Sequence, residues 1–116
     1  MMWEEITSLE QIDKIKKYSE NQPVVIYKHS TRCGISSLAI DRLERAWNAE
    51  EMKSVQTYFL NLISYREISQ AIADTFGVRH ESPQLLLIKD GKCAFHASHM
   101  SISYQTLKNQ LERITL

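Results

Sequence analysis

The stretch Pro23-Val24-Val25-Ile26-Tyr27-Lys28-His29-Ser30-Thr31-Arg32-Cys33-Gly34-Ile35-Ser36 decides the fold that we predict for this chain. Its first six residues are mostly apolar and β-branched, which is typical of a strand covered on both faces. From Ile35 onward the apolar residues recur every three or four positions, which indicates a helix. Cys33 is therefore predicted to lie where a strand has ended and a helix begins.

A cysteine at this position is expected to be chemically active. The unpaired N–H groups and the positive dipole end of a helix N-terminus favour an anion, and Arg32 adds a positive charge beside Cys33. Both features favour the thiolate, which is the nucleophilic form. The alternative is a small buried residue that only fills space. Ser36 stands one turn further on and cannot form a disulfide, so a second thiol must come from solution or from a partner.

Working outward, the sequence predicts an α/β fold with the order αβαβαββα, in which helices flank a four-stranded mixed β-sheet. The strand-helix-strand unit from Pro23 to Leu60 implies a right-handed parallel crossover, and Asp90-Gly91 signals a hairpin between the last two strands. The predicted elements are a helix opened by Ser8 and Gln11, the strand 23–28, a helix from Ile35, the strand 55–60, a helix opened by Ser64 and Glu67 and ended by Gly77, the strands 84–89 and 92–97, and a helix from Ser103.

Composition limits the possible partners. A chain of 116 residues, 43% of them hydrophobic, suits one domain over residues 1–116. Fourteen basic and fourteen acidic residues leave no net charge to attract nucleic acid or an anionic membrane. The longest apolar run, residues 85–88, is too short to span a bilayer and no secretory signal is evident, so we expect a soluble cytoplasmic protein. The Cys and His spacing predicts no metal site and no tightly bound cofactor.

Several segments carry a resemblance to a known family. A strand, a cysteine at a helix start and a later Ser82-Pro83 before a strand form the pattern of the thioredoxin-like fold, over nearly the whole chain. More closely, three segments resemble the bacterial monothiol bacilliredoxins: Lys28-His29-Ser30-Thr31-Arg32-Cys33-Gly34-Ile35-Ser36, Phe76-Gly77-Val78-Arg79-His80-Glu81-Ser82-Pro83-Gln84 and Ala97-Ser98-His99.

That resemblance implies a cytoplasmic thiol-disulfide oxidoreductase. Such an enzyme uses its one active cysteine, here Cys33, to remove bacillithiol from mixed disulfides on client proteins, with bacillithiol as co-substrate. The resemblance also implies a cis peptide bond before Pro83, opposite the thiol, with the Ser82 backbone offered to an extended partner. The residues predicted to contact the substrate are Thr31, Arg32, Gly34, Ser36, Ser82, Pro83 and His99.

Other histidines and the second cysteine are given lesser roles. Site function for His99 and a plain surface position are equally compatible with the sequence, and His29 and His80 are weaker candidates. Cys93 follows the hairpin turn, at the end of the hairpin remote from Pro83. We therefore predict that Cys93 is structural and forms no disulfide with Cys33, because a disulfide requires Cα atoms within about 7 Å.

Gly34 leaves alternatives open. Better-known bacilliredoxins carry proline at that position, and Cys33-Gly34-Ile35-Ser36 is similar to the Cys-Gly-Phe-Ser motif of monothiol glutaredoxins. The alternatives are a monothiol protein that uses glutathione, a carrier of an iron-sulfur cluster held through cysteine sulfur, and a non-catalytic interaction module on the same fold.

Overall fold

The computed structural model describes residues 3–115, which form an α/β fold around a mixed five-stranded sheet with the order β1-β3-β2-β4-β5. The predicted fold class is confirmed, but the predicted count of four strands is too low. The elements are β1 (Glu4–Glu5), α1 (Glu10–Tyr18), β2 (Val24–His29), α2 (Gly34–Ala46), β3 (Gln56–Asn61), α3 (Arg66–Phe76), β4 (Gln84–Lys89), β5 (Lys92–Ser98), the 3₁₀ turn His99–Ser101 and α4 (Tyr104–Thr115).

The additional strand is β1, which pairs parallel with β3 through Glu4 opposite Tyr58. It was not predicted because two exposed glutamates carry none of the apolar alternation that marks a half-buried strand. The remaining pairings have the predicted directions: β2 is parallel to β3, and β4 is antiparallel to both β2 and β5. Asp90 and Gly91 have positive φ angles of 54° and 75°, as a tight hairpin turn requires.

Alternate residues of the central strand β2 pack on opposite faces of the sheet. Val24 and Ile26 belong to the core beneath α1 and α3, whereas Val25 and Tyr27 belong to the core beneath α2 and α4. All four are completely buried. The predicted strand covered on both faces is therefore confirmed, and its carboxyl end leads directly to Cys33.

Side-chain hydrogen bonds fix the chain at the starts of α1 and α4. The Gln11 Oε1 atom accepts the backbone N–H groups of Thr7 and Ser8 at 2.7 and 3.0 Å, and the Ser103 Oγ atom accepts the N–H of Thr106 at 3.2 Å. The predicted capping box at Ser64 is wrong. The N–H of Ser64 bonds the carbonyl of Asn61 in a turn after β3, and α3 begins only at Arg66 without a side-chain cap.

Within residues 3–115, every helix is too short or too polar to cross a membrane.

Candidate active site

Cys33 lies at the carboxyl end of β2, in a tight turn that leads into α2. The backbone N–H of Cys33 donates to the carbonyl of Ser30 at 3.2 Å, and the N–H of Arg32 donates to the Ser30 Oγ atom at 3.4 Å. Cys33 has extended backbone angles and is the N-cap residue of α2, which begins at Gly34. The thiol-bearing residue is partly exposed. The structure therefore places Cys33 where the sequence predicts.

The first turn of α2 leaves the positive end of the helix uncompensated. It contains no acidic residue, and no side chain caps it. The carbonyl of Cys33 accepts the N–H groups of Ser36 and Ser37 at 3.1 and 3.3 Å, which fixes Cys33 against the helix start. A partial positive charge at a helix N-terminus stabilises an anion placed there. This arrangement supports the expected reactivity of Cys33.

Ser36 lies behind the turn and is completely buried. Its Oγ atom accepts the N–H of Ser30 at 3.2 Å and lies 2.7 Å from the Nδ1 atom of His29. The Ser36 hydroxyl therefore bonds both the backbone of Ser30 and the imidazole of His29, and the His29 tautomer sets the direction of the second bond. The hydroxyl of Tyr27 also donates to the Ser36 carbonyl at 2.8 Å. Ser36 thus joins the end of β2 to the start of α2.

Burial governs the acidity of the two ring side chains beside Ser36. It lowers the pKa of His29 from its usual value, so the imidazole is neutral near pH 7. It also raises the pKa of Tyr27 to about 12, so the phenol remains a hydrogen-bond donor. The rings of His29 and Phe59 pack against each other in a tilted arrangement, with their centroids 5.3 Å apart. The sequence indicated His29 only weakly, and nothing in its spacing shows the bond to Ser36.

Pro83 and His99 meet at the same end of the sheet. The Ser82-Pro83 peptide bond is cis, as the family resemblance implies, and the next residue, Gln84, pairs with Lys28 in β2. The N–H of His99 donates to the Pro83 carbonyl at 3.0 Å. The Ser82 Oγ atom is buried and has no hydrogen-bond partner in the part of the chain that the structure describes.

The turn at His99 also rests on α2. The Arg42 guanidinium donates to the carbonyl of Ile102 at 2.8 Å, which ties the chain after β5 to the middle of α2. The structure therefore brings the Cys33 turn, Pro83 and His99 to one end of the sheet. Thr31, Arg32 and Gly34 are exposed on the turn, whereas Ser36 faces inward.

Cys93 lies at the opposite end. It pairs with Ile88, which in turn lies opposite Val24 at the start of β2. Its Sγ atom contacts the carbonyl of Phe95 at 3.3 Å, and burial raises the pKa of this thiol above its ordinary value. Both cysteines are free, and the predicted absence of a disulfide between them agrees with their positions.

A buried lysine near the site was missed at the sequence level. Lys28 is completely buried, and its Nζ atom donates to the Ser69 carbonyl at 3.1 Å and faces the Nδ1 atom of His80 at 3.3 Å. None of the ion pairs among residues 3–115 involves Lys28. Burial lowers its pKa to about 8. The sequence did contain a sign of this burial, because Lys28 follows Val24 and Ile26 at intervals of two in β2 and so shares their inward face.

No group of three or more His, Cys, Asp and Glu side chains in residues 3–115 is arranged to hold a metal ion. A groove of about 870 Å³ lies beside α2, between Trp3, His29 and Phe59. Cys33 is not among the residues that line it.

Comparison with solved structures defines the class of protein. One similar structure is that of a thioredoxin-fold protein assigned as an oxidoreductase, which is 28% identical to this chain with a TM-score of 0.77. The match covers 92% of this chain and 91% of that protein. A thioredoxin from Malassezia sympodialis is 16% identical with a TM-score of 0.76, and the match covers 99% of this chain and 92% of that one. A thioredoxin from Trypanosoma brucei brucei is 20% identical with a TM-score of 0.74, and the match covers 98% of this chain and 91% of that one. The molecule is a thioredoxin-fold protein of the thiol redox class.

The particular family follows from a family model. The model described as monothiol bacilliredoxin BrxC matches residues 4–107, which include the Cys33 turn, Pro83 and His99. The chain belongs to the monothiol bacilliredoxin family, as its sequence motifs suggest.

Proposed function

We propose that this protein is a monothiol thiol-disulfide oxidoreductase that removes bacillithiol, or a similar low-molecular-weight thiol, from mixed disulfides on client proteins. The observation that carries the proposal is the pairing of Cys33 at the start of α2 with a buried serine one turn later. Because Cys93 lies at the other end of the sheet, Cys33 has no second cysteine to complete an internal disulfide. Membership of the monothiol bacilliredoxin family supports the same reaction.

The reaction consists of two thiol-disulfide exchanges. The Cys33 thiolate attacks the sulfur of the small thiol in the mixed disulfide. A disulfide forms between Cys33 and the small thiol, the original disulfide breaks, and the client leaves as a thiolate that takes a proton. A second molecule of small thiol, as thiolate, then attacks the adduct. It regenerates the Cys33 thiolate and leaves as the symmetrical disulfide, so electrons balance in both steps.

The surface around Cys33 suits a protein client. Ile35 and Leu38 on α2 are 44% and 50% exposed, and Met100 in the 3₁₀ turn that packs on α2 is 59% exposed. Apolar side chains this exposed beside a reactive group favour transient contact with another protein. We assign the Ser82 backbone and Pro83 to the extended segment of the client, with His99 at the rim. Thr31, Arg32 and Gly34 contact the incoming disulfide.

The test is the loss of the small thiol from a client that carries bacillithiol in a mixed disulfide. With free bacillithiol as reductant, catalytic amounts of wild type should release the unmodified client, as followed by mass. Cys33→Ser should abolish release and Cys93→Ser, the matched control, should retain it. The proposal is rejected if wild type leaves the client modified, and equal activity of Cys33→Ser would indicate an interaction module instead.

The identity of the small thiol is tested with the same client carrying glutathione. Faster release of bacillithiol than of glutathione at equal concentrations would support the assignment. The reverse preference would favour the glutathione-using alternative.

A further inference from the structure

A polar cavity of about 290 Å³ opens on the α3 side of the same sheet end, lined by Leu62, Arg66, Ser69, Gln70 and His80. None of these residues is acidic, and the carboxylate that acts on His80 is that of Glu81, which lies outside the lining. Arg66 is exposed and forms no ion pair within residues 3–115, so its guanidinium is available to a ligand. Arginine binds carboxylate oxygens with two parallel hydrogen bonds where the geometry allows.

The ammonium group of Lys28 is buried behind two of the residues that line this cavity. A buried cation without an opposite charge is unfavourable unless something else compensates it. Lys28 Nζ bonds the Ser69 carbonyl and His80 Nδ1, and both of those residues line the cavity. An ammonium group can only donate, so Nδ1 of His80 is the acceptor and the imidazole proton resides on Nε2. His80 thus offers a further donor, and no described hydrogen bond uses its Nε2 atom.

A second buried polar group lies beside this cluster. Gln84 is 1% exposed, and its Oε1 atom has no hydrogen-bond donor among residues 3–115. Gln84 pairs directly with Lys28 in the sheet, and it precedes Leu86 and Ile88 on the face that α3 covers. An unpartnered buried acceptor next to an uncompensated buried cation is an arrangement that contributes little to folding. A carboxylate cannot donate to the Gln84 Oε1 atom, so the case for an anionic ligand rests on Arg66, His80 and Lys28.

The cavity lies within reach of Cys33. The N–H of Leu62, which lines the cavity, donates to the carbonyl of His29 at 2.9 Å. The Ser30–Cys33 turn keeps its end Cα atoms within about 7 Å, and consecutive Cα atoms are about 3.8 Å apart, so His29 and Cys33 are within about 11 Å. A thiol as large as three amino acids spans about 10 Å when extended. Such a molecule bonded to Cys33 can reach the cavity.

We propose that this cavity binds a carboxylate of the low-molecular-weight thiol whose sulfur is bonded to Cys33. Arg66 and the His80 Nε2–H donate to the carboxylate, and the Lys28 ammonium behind the wall adds an attractive field. This inference rests on the proposed function and names the chemical class of its small-molecule substrate, a thiol with a free carboxylate. Neutral thiols of the same size lack the charge that this cavity recognises.

The test compares a client modified with bacillithiol, which has carboxylates, with the same client modified with the methyl ester of bacillithiol. Wild type should remove the acid form three- to tenfold faster in kcat/KM, and added salt should reduce this preference. Arg66→Gln should lower the rate for the acid form alone and abolish the preference. Arg113→Gln on α4, which makes the same charge change far from the cavity, should keep the preference.

A second readout does not depend on turnover. In the Cys33 adduct the carboxylate should raise the pKa of His80, so its imidazole NMR signals should titrate at higher pH in the acid adduct than in the ester adduct. The inference is overturned if wild type removes both forms equally, if Arg66→Gln slows both equally or neither, or if the two titrations coincide. Failure to remove either form would instead reject the proposed function.

Discussion

Replacing the buried lysine with an apolar residue of similar shape should stabilise the fold. Lys28→Met removes a buried charge that forms no ion pair among residues 3–115, and it keeps most of the side-chain volume. The Ser69 hydroxyl lies 3.0 Å from His80 Nδ1, so His80 keeps a partner after the change. A buried charge replaced by a well-packed hydrophobic residue commonly leaves stability unchanged or raises it.

The magnitude follows from the pKa. Burial lowers the pKa of Lys28 from 10.5 to about 8, which corresponds to about 3 kcal/mol of unfavourable free energy at neutral pH. The loss of two hydrogen bonds removes about 1 kcal/mol each. We therefore expect Lys28→Met to raise the free energy of unfolding at pH 7 by about 1 kcal/mol, which is a few degrees in Tm.

The pH dependence gives a sharper result than the value at pH 7. A lysine whose folded-state pKa is depressed destabilises the fold fully below pH 8, and the penalty disappears as the pH rises toward 10.5. Wild type should therefore gain about 2 kcal/mol relative to Lys28→Met between pH 7 and pH 9.5. Urea unfolding of both proteins at several pH values measures this difference. A gap between the two proteins that stays constant over this range would refute the assignment of an uncompensated buried charge.

Three substitutions and one reactivity measurement test other parts of the structure. Ser36→Ala removes the partners of the Ser30 N–H and His29 and should lower the free energy of unfolding by about 1–3 kcal/mol, as urea unfolding would show; an unchanged value would mean that these bonds are not formed. Ser36→Cys should let the Cys33 adduct resolve to an intramolecular disulfide, seen by mass as a species lacking two hydrogens, whereas accumulation of the adduct alone would contradict the turn geometry. In the folded protein, Cys33 should be alkylated faster than Cys93 at every pH below 9, and equal rates would argue against its activation. Gly77→Ala should cost about 1 kcal/mol, because φ is +66° at this helix end while open space surrounds the site, and no change in Tm would contradict the left-handed conformation.

The sequence predicted the parts of the site that depend on chain order. The apolar run of β2 followed by helical spacing determines that Cys33 begins a helix, and the Asp90-Gly91 turn determines that β4 and β5 pair. Both features are local, so they can be read from periodicity and turn chemistry. The cis bond at Pro83 could not be derived this way, since cis X–Pro bonds are about 5–6% of the total in folded proteins, and only the family resemblance implied it.

The missed features depend on which side chains meet across the sheet. Lys28 has no role of its own in the sequence-based prediction, but α3 covers this end of β2 and buries Lys28 against Ser69 and His80. The hydroxyl of Ser36 looked available to substrate, but it is used to hold Ser30 and His29. Such contacts link residues that are far apart in sequence or on different elements, and no local pattern encodes them.

The end of the sheet therefore has two chemically different sides. Toward α2 lie the thiol turn, Pro83 and exposed apolar side chains, an environment suited to a protein client. Toward α3 lie Arg66, His80 and the concealed charge of Lys28, an environment suited to an anion. A mixed disulfide presents both kinds of group at once, joined through two sulfur atoms. In a protein with one reactive cysteine, the disulfide to Cys33 holds the small thiol until a second thiol arrives, because no internal cysteine releases it. A separate anion subsite beside Cys33 orients that adduct and favours a small thiol with a carboxylate, whereas a dithiol active site can release the adduct without a second small thiol.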